Sequence, residues 1–193
     1  YAAVKQCPVF GGNLVSFDSA AIKSYQGVQK VVAIKAGPSG YTVPPFFYEV
    51  IDWRMDDAVA VVADSWWEAQ RALDALPIVW DEGANKDVSS TQIAQEINNK
   101  LMTQGEVIRQ EGDVDSAFLK AEKTIQSRYH YPFLEHAALE PMNCTAHFRT
   151  GANGKDHLEV WIPTQSGPRF QKMALDRYGL QKDQLTIHIK RMG

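Results

Sequence analysis

The chain contains 193 residues, of which 45% are hydrophobic and 22% are charged, and its formal net charge is −3. This composition is typical of a globular protein with one domain or two small ones. Binding to nucleic acid is disfavoured, because the chain lacks the excess of lysine and arginine that phosphate contacts require. No apolar stretch approaches the roughly 20 residues of a transmembrane helix, so the sequence predicts no membrane span.

Short strands are predicted in the first part of the chain. Apolar and β-branched residues predict strands over Ala2–Gln6, 13–18 and Val28–Ile34, and a pair of glycines predicts the turn between the first two. Asp18 is placed to cap a short helix before the third strand. Residues 37–45 contain spaced glycines and prolines and are predicted to form a loop.

A strand, a helix and a second strand are predicted next. The unbroken apolar run of Ala58–Ala63 is typical of a buried strand. Ser65 and Glu68 have the spacing of a capping box at a helix start, and Pro77 ends that helix. Residues 78–80 return as a strand, which completes a β-α-β unit inside a small α+β module.

A polar, glycine-containing stretch over residues 83–90 predicts a linker. Ser89 and Gln92 form a second capping-box pattern, and the helix that follows carries one apolar stripe. Asp113 is predicted to open another short helix. Residues 124–131 are predicted to form a strand because they are rich in β-forming residues.

The last third of the chain predicts a hairpin, a helix and a strand. Residues 143–149 and 157–162 flank a glycine-containing turn, which indicates a β-hairpin. A helix is expected to begin at Pro168 and to end at Gly179. Apolar and polar residues alternate over Leu185–Ile189, as in a half-buried strand.

The histidines and cysteines show no metal-ligand spacing. The chain has five histidines and two cysteines, and they are scattered rather than paired. The simplest interpretation is structural or surface histidines and two buried thiols. They are His130, His136, His147, His157, His188, Cys7 and Cys144. No P-loop or dinucleotide fingerprint occurs, which disfavours direct binding of ATP or NAD.

Two ordered segments carry a resemblance to a known family. Residues 134–143 read LEHAALEPMN and residues 161–165 read WIPTQ, followed by the predicted helix and strand and by Arg191, Met192 and Gly193. This order resembles the catalytic large subunit of the molybdenum hydroxylases, the family of xanthine dehydrogenases, aldehyde oxidases and isoquinoline oxidoreductases. Residues 56–83 resemble the hammerhead domain of that family, most closely in its isoquinoline 1-oxidoreductase branch.

The resemblance implies an α+β fold in two parts. Residues 1–83 would form a hammerhead-type α/β module, and residues 84–193 would form the beginning of the molybdopterin-binding domain, truncated at its end. The chain is therefore expected to be an internal fragment of a larger bacterial enzyme, of the cytoplasm or the periplasm, and to be inactive when isolated.

The resemblance also implies a reaction. Such enzymes oxidise aromatic N-heterocycles or aldehydes and take the inserted oxygen from water. Their cofactor is molybdopterin, here expected in the cytosine dinucleotide form, and an iron–sulfur small subunit is the expected partner. The alternative is a non-catalytic α+β binding or interaction module derived from this family.

Two residues are implied to contact the cofactor. Gln165 corresponds to the glutamine beside the metal, and Gly193 to the first glycine of a turn that cradles the cofactor. Without the resemblance, Gln165 would be interpreted as a cap of the helix at Pro168. No catalytic residue and no protein ligand of the metal is expected within the chain. Glu135, His136 and Glu140 could form an acid–base cluster, but a supporting role in packing and polar networks is favoured.

Overall fold

The computed structural model describes residues 1–35, 56–152 and 154–191. The predicted loop over residues 37–45 and the candidate Gly193 lie outside them. The chain forms two compact units, one made of Tyr1–Lys86 with Ala138–Gly193 and the other of Asp87–Ala137. The fold is α+β, as predicted, with helices beside small sheets. No helix in the described ranges is long and apolar enough to cross a membrane.

The strands and the helix predicted near the start of the chain are present. They are β1 (Ala2–Gln6), β2 (Asn13–Phe17), β3 (Val28–Ile34), β4 (Ala58–Ala63), α1 (Trp66–Ala75) and β5 (Ile78–Asp81). The apolar β4 lies between β1 and β3 and runs antiparallel to both, while β2 pairs with β5. The helix predicted after Asp18 is only a 3-10 turn, Ser19–Ile22, capped by the Asp18 carboxylate.

Helix α1 covers this first core. Its hydroxyl cap is Ser65, which accepts a hydrogen bond from the Glu68 amide, as the capping pattern predicted. The apolar run of β4 packs against the apolar face of α1. The central side chains are Ile22, Val59, Val61 and Leu73, each almost completely inaccessible to solvent.

The second unit contains two short helices. Helix α2 spans Ser90–Leu101 with Ser89 as its cap, and helix α3 spans Val114–Lys120 with Asp113 as its cap, as predicted. The strand predicted over residues 124–131 was wrong, because this segment joins no ladder in the described part of the chain. A strand is stabilised by its partners, and here the side chains are exposed.

The last part of the chain forms a separate sheet. Strands β6 (Thr145–Thr150) and β7 (Asp156–Ile162) make the predicted hairpin, and β8 (Leu185–Ile189) pairs with β7 in parallel. Helix α4 (Gly167–Tyr178) connects these two parallel strands, and Gly179 ends it in the left-handed conformation. The result is a β-α-β unit with a core of its own, made by Leu158, Val160, Ala174, Leu180 and Leu185.

The two faces of this sheet differ in character. Leu158 and Val160 point to the core on one face of β7. Neighbouring residues in a strand point to opposite faces, so Glu159 and Trp161 lie on the other face. Because β7 and β8 are parallel, their carboxyl ends meet at one edge, and the first residue of the antiparallel β6 lies at the same edge. Ligands of α/β units commonly bind at such an edge.

Candidate functional site

Gln165 lies in the bend between β7 and α4, at the carboxyl edge of the sheet. Its side chain is exposed, and its amide makes no hydrogen bond to any residue that the structure describes. A primary amide offers donors and acceptors without carrying charge. Gln165 is therefore available to a ligand placed beyond the ends of these strands.

The helix-capping interpretation of Gln165 was wrong. The residue at the helix start is Ser166, and Gln165 precedes it. The Ser166 amide donates a hydrogen bond of 3.1 Å to the Thr164 hydroxyl. On the strand side, the Lys190 amide donates to the Ile162 carbonyl at 3.0 Å. These two hydrogen bonds hold the bend at both ends, and neither of them involves the Gln165 side chain.

An open groove of about 420 Å³ lies at the same edge. It is lined by Glu140, Asn143, Thr145, Trp161, Pro163 and Lys190. The Asn143 amide donates to the Glu140 carboxylate at 3.1 Å and to the Pro141 carbonyl at 2.8 Å, which fixes this wall. Lys190 forms no ion pair and Thr145 no side-chain hydrogen bond within the described ranges, so a cation and a hydroxyl remain available.

A polar and aromatic network lies on the face of the sheet that includes Trp161. The indole of Trp161 and the imidazole of His188 stack with ring centres 4.9 Å apart and an angle of 12° between their planes. His188 Nε2 donates to Glu159 Oε1 at 2.8 Å, and Arg149 Nη1 lies 3.7 Å from the other oxygen of Glu159. The three strands are thus linked by side chains on this face.

The environment of Glu159 favours its ionised form. The hydrogen bond from His188 is the main reason that the pKa of Glu159 lies below its ordinary value. Partial burial opposes this shift, and the positive charges of His188, Arg149 and His147 add to it. The negative charge of Glu159 is therefore stabilised beside His188 and Arg149.

The other predicted residues are placed differently. Glu140 lines the groove, whereas Glu135 and His136 lie in the other compact unit and form no hydrogen bond with a described residue. The three residues of the possible acid–base cluster are therefore divided between the two units. Cys7 is buried as expected, but Cys144 is exposed, so the interpretation of two buried thiols was half wrong.

Sequence reasoning missed Glu159 and His188 as partners. They are 29 residues apart, and only the parallel register of β7 and β8 brings them together. The signal that could have found them is the order strand, helix, strand, since this order predicts parallel neighbours. No cluster of three or more His, Cys, Asp or Glu side chains with metal-binding geometry occurs within the described ranges.

Comparison with known proteins identifies the family. A model of the molybdopterin cofactor-binding domain matches residues 93–193, more than half of the chain. The chain belongs to this family. Together with the relatives below, the match makes it a member of the molybdenum hydroxylases, as the two sequence segments predicted.

The relatives of this molybdenum hydroxylase chain are much longer than the chain itself. It is 28% identical over 192 residues to a nicotinate dehydrogenase chain of Pseudomonas putida, a match that covers 100% of the chain and 14% of that protein. It is 25% identical over 135 residues to aldehyde oxidase 3 of Rattus norvegicus, covering 69% of the chain and 10% of the oxidase. The chain thus spans about a seventh of the length of the first.

A solved structure shares the fold. The crystal structure of quinoline 2-oxidoreductase from Pseudomonas putida 86 superposes with a TM-score of 0.59 and 16% sequence identity. The superposition covers 97% of this chain and 26% of that one. At this identity the likeness concerns the fold.

The side chains at the carboxyl edge suit a molybdopterin cofactor. Gln165 supplies an uncharged amide that can donate to and accept from a polar group. Lys190 and Thr145 supply a cation and a hydroxyl that suit anionic oxygens, and they line the neighbouring groove. These residues of the molybdopterin-binding domain would hold part of the cofactor.

Proposed function

We propose that the complete protein is a molybdenum-dependent oxidoreductase that hydroxylates aromatic N-heterocycles or aldehydes with water as the oxygen source. The observation that carries the proposal is the exposed amide of Gln165, which has no hydrogen-bond partner among the described residues. It lies at the carboxyl edge of β7 and β8, in a chain of the cofactor-binding family. A nicotinate dehydrogenase and several aldehyde oxidases are among the relatives, which supports both substrate classes.

Gln165 acts by hydrogen bonding and positioning in this proposal. The bound cofactor supplies the oxidation–reduction chemistry. An amide does not titrate in the working range of an enzyme, so Gln165 is not the base of the reaction. Its donors can instead stabilise charge that develops on a neighbouring oxygen or sulfur, and a bend held at both ends keeps them in place.

Several finer features belong to the same proposal. The cofactor is the cytosine dinucleotide form, Gly193 contacts it, and an iron–sulfur subunit receives the electrons. Residues 1–83 are the hammerhead-type domain and residues 84–193 part of the cofactor-binding domain. The bacterial isoquinoline 1-oxidoreductase branch is the proposed origin of the enzyme, and the resemblance of residues 56–83 to that branch supports it.

The 193-residue chain alone is proposed to be inactive. A large pterin dinucleotide needs many convergent groups, and the open groove presents one wall of a site. Molybdenum analysis of the purified chain tests this point. A stoichiometric content of molybdenum together with turnover would contradict it.

The experiment that tests the function uses the complete protein. It is purified, its molybdenum content is measured, and its activity is followed with nicotinate, quinoline, isoquinoline and an aldehyde in water labelled with ¹⁸O. We expect stoichiometric molybdenum and one labelled oxygen in the product. A protein that lacks molybdenum, or a product oxygen that does not come from water, would favour the non-catalytic binding module instead.

A further inference from the structure

Glu159, His188 and Trp161 form a chain of side-chain contacts that ends at the groove. In the paired register, Trp161 lies beside Thr145 of β6 and His188 of β8. The stack between Trp161 and His188 is nearly parallel, with ring centres 4.9 Å apart. His188 is in turn held by Glu159 through a hydrogen bond of 2.8 Å. The orientation of the Trp161 indole, which lines the groove, is therefore fixed by the imidazole that stacks on it.

This stack lies where β7 and β8 end. Trp161 is one residue before the last residue of β7, and the chain then enters the bend that carries Gln165. The hydrogen bond from the Lys190 amide to the Ile162 carbonyl is the next link between the two strands. The stack is thus the last side-chain link on this face before the bend begins, within the part of the chain that the structure describes.

We infer that His188 and Glu159 are positioning residues, which hold Trp161 and through it the bend that presents Gln165. The inference rests on the proposed function, because it concerns the geometry of the proposed cofactor contact. A site is most precise when the residues around it lock its side chains by packing and hydrogen bonding. Gln165 has no hydrogen-bond partner within the described ranges, so its placement depends on the backbone of the bend.

The charged side chains on the Glu159 face of the sheet favour the stacking of His188 on Trp161. Arg149 and His147 on β6 share the face with Glu159, as the register shows. Arg149 lies 3.7 Å from the carboxylate, so Glu159 has a cationic neighbour on each adjoining strand when His188 is protonated. A stationary carboxylate holds the imidazole in the orientation that stacks on the indole.

A matched pair of histidines separates positioning from general stabilisation of the sheet. His157 Nε2 and Thr186 Oγ1 form a hydrogen bond of 3.1 Å between the same two strands, away from the carboxyl edge. His188→Gln keeps a donor for Glu159 but removes the stack. His157→Gln makes the same chemical change at a site that is not next to the bend.

The first experiment needs no cofactor. Hydrogen exchange of the backbone amides of residues 164–166 is measured in the 193-residue chain carrying either substitution. We expect His188→Gln to accelerate exchange in the bend several-fold and His157→Gln to leave it unchanged. Equal exchange rates in the two variants would overturn the inference, whatever the complete protein binds.

The second experiment uses the complete enzyme and a double-mutant cycle. If His188 acts through Gln165, His188→Gln lowers kcat in the wild-type background and has little further effect beside Gln165→Ala. If the two substitutions lower kcat by independent factors that multiply, the stack does not act through the Gln165 amide. A wild-type protein without molybdenum would refute the proposed function instead, and the exchange experiment would then decide the positioning alone.

Discussion

The carboxylate of Asp57 accepts a hydrogen bond of 2.7 Å from the backbone amide of Leu14. Asp57 is only 3% exposed, and Lys35 Nζ approaches the same carboxylate oxygen at 2.9 Å. Lys35 also donates to the Leu14 carbonyl at 2.8 Å. One buried anion thus connects β2 to the residues just before β4 and just after β3, which belong to another sheet.

Replacing this anion should destabilise the chain strongly. Asp57→Ala leaves the Leu14 amide without its acceptor inside the protein, and we expect a loss of about 3 kcal/mol in the free energy of unfolding. Urea denaturation of the purified chain measures it. Asp56→Ala is the control, because Asp56 forms no hydrogen bond with a described residue. A similar effect of both substitutions would contradict the role of Asp57.

Gln165→Ala should lower turnover of the complete enzyme by roughly 10²-fold, the usual effect of losing one preorganised donor. Because the side chain is exposed and has no partner in the described part of the chain, stability should change by less than about 0.5 kcal/mol. The shape of the pH profile should persist, since an amide does not titrate. Gln171→Ala, in α4, is the control, and retention of full turnover by Gln165→Ala would refute the cofactor contact.

Glu159 should contribute to stability in a way that depends on pH. Its pKa is lowered in the folded chain, chiefly by the His188 hydrogen bond, so its contribution is present above the pKa of the unfolded state. The contribution is lost as the pH falls through the lowered folded pKa. The urea midpoint of Glu159→Gln should therefore lie below that of the wild type at pH 7 and approach it at pH 3. A constant difference across this range would argue against the ionised pair.

Gly179 should resist substitution because of its backbone. It ends α4 with a φ of 64°, a conformation that a Cβ atom disfavours. Gly179→Ala should cost roughly 1 kcal/mol of stability, measured by thermal or urea unfolding. Gly105 has an open environment and no positive φ, so Gly105→Ala serves as the comparison. Equal stability of the two variants would show that the helix can end in another way.

Local signals explain most of what the sequence predicted correctly. The run of Ala58–Ala63, the cap at Ser65 and the stop at Gly179 each depend on neighbours in the chain, and each lies where the pattern placed it. The strand over residues 124–131 failed because β propensity alone does not provide a pairing partner. The exposed fraction of Ile125, 81%, shows how little of this segment is covered.

The candidate site was predicted only in part. Gln165 was proposed through the family resemblance and stays a prediction as a cofactor contact; its exposed side chain lies at the carboxyl edge of the parallel strands. The groove and the contacts among Glu159, Trp161 and His188 were not predicted, because they depend on cross-strand register rather than on spacing along the chain. Register becomes visible only when the pairing of β7 and β8 is known.

In the last sheet, the residues that line the groove, called the rim here, are separate from the residues that fill the core. This separation has an evolutionary consequence. The residues that line the groove lie at the strand ends and on the face opposite α4, while Leu158 and Val160 fill the core beneath that helix. Substitutions at the rim therefore change the shape and charge offered to a ligand at little cost to folding. Descendants of one ancestral scaffold can diverge in the molecules they accept while the framework beneath the rim stays the same.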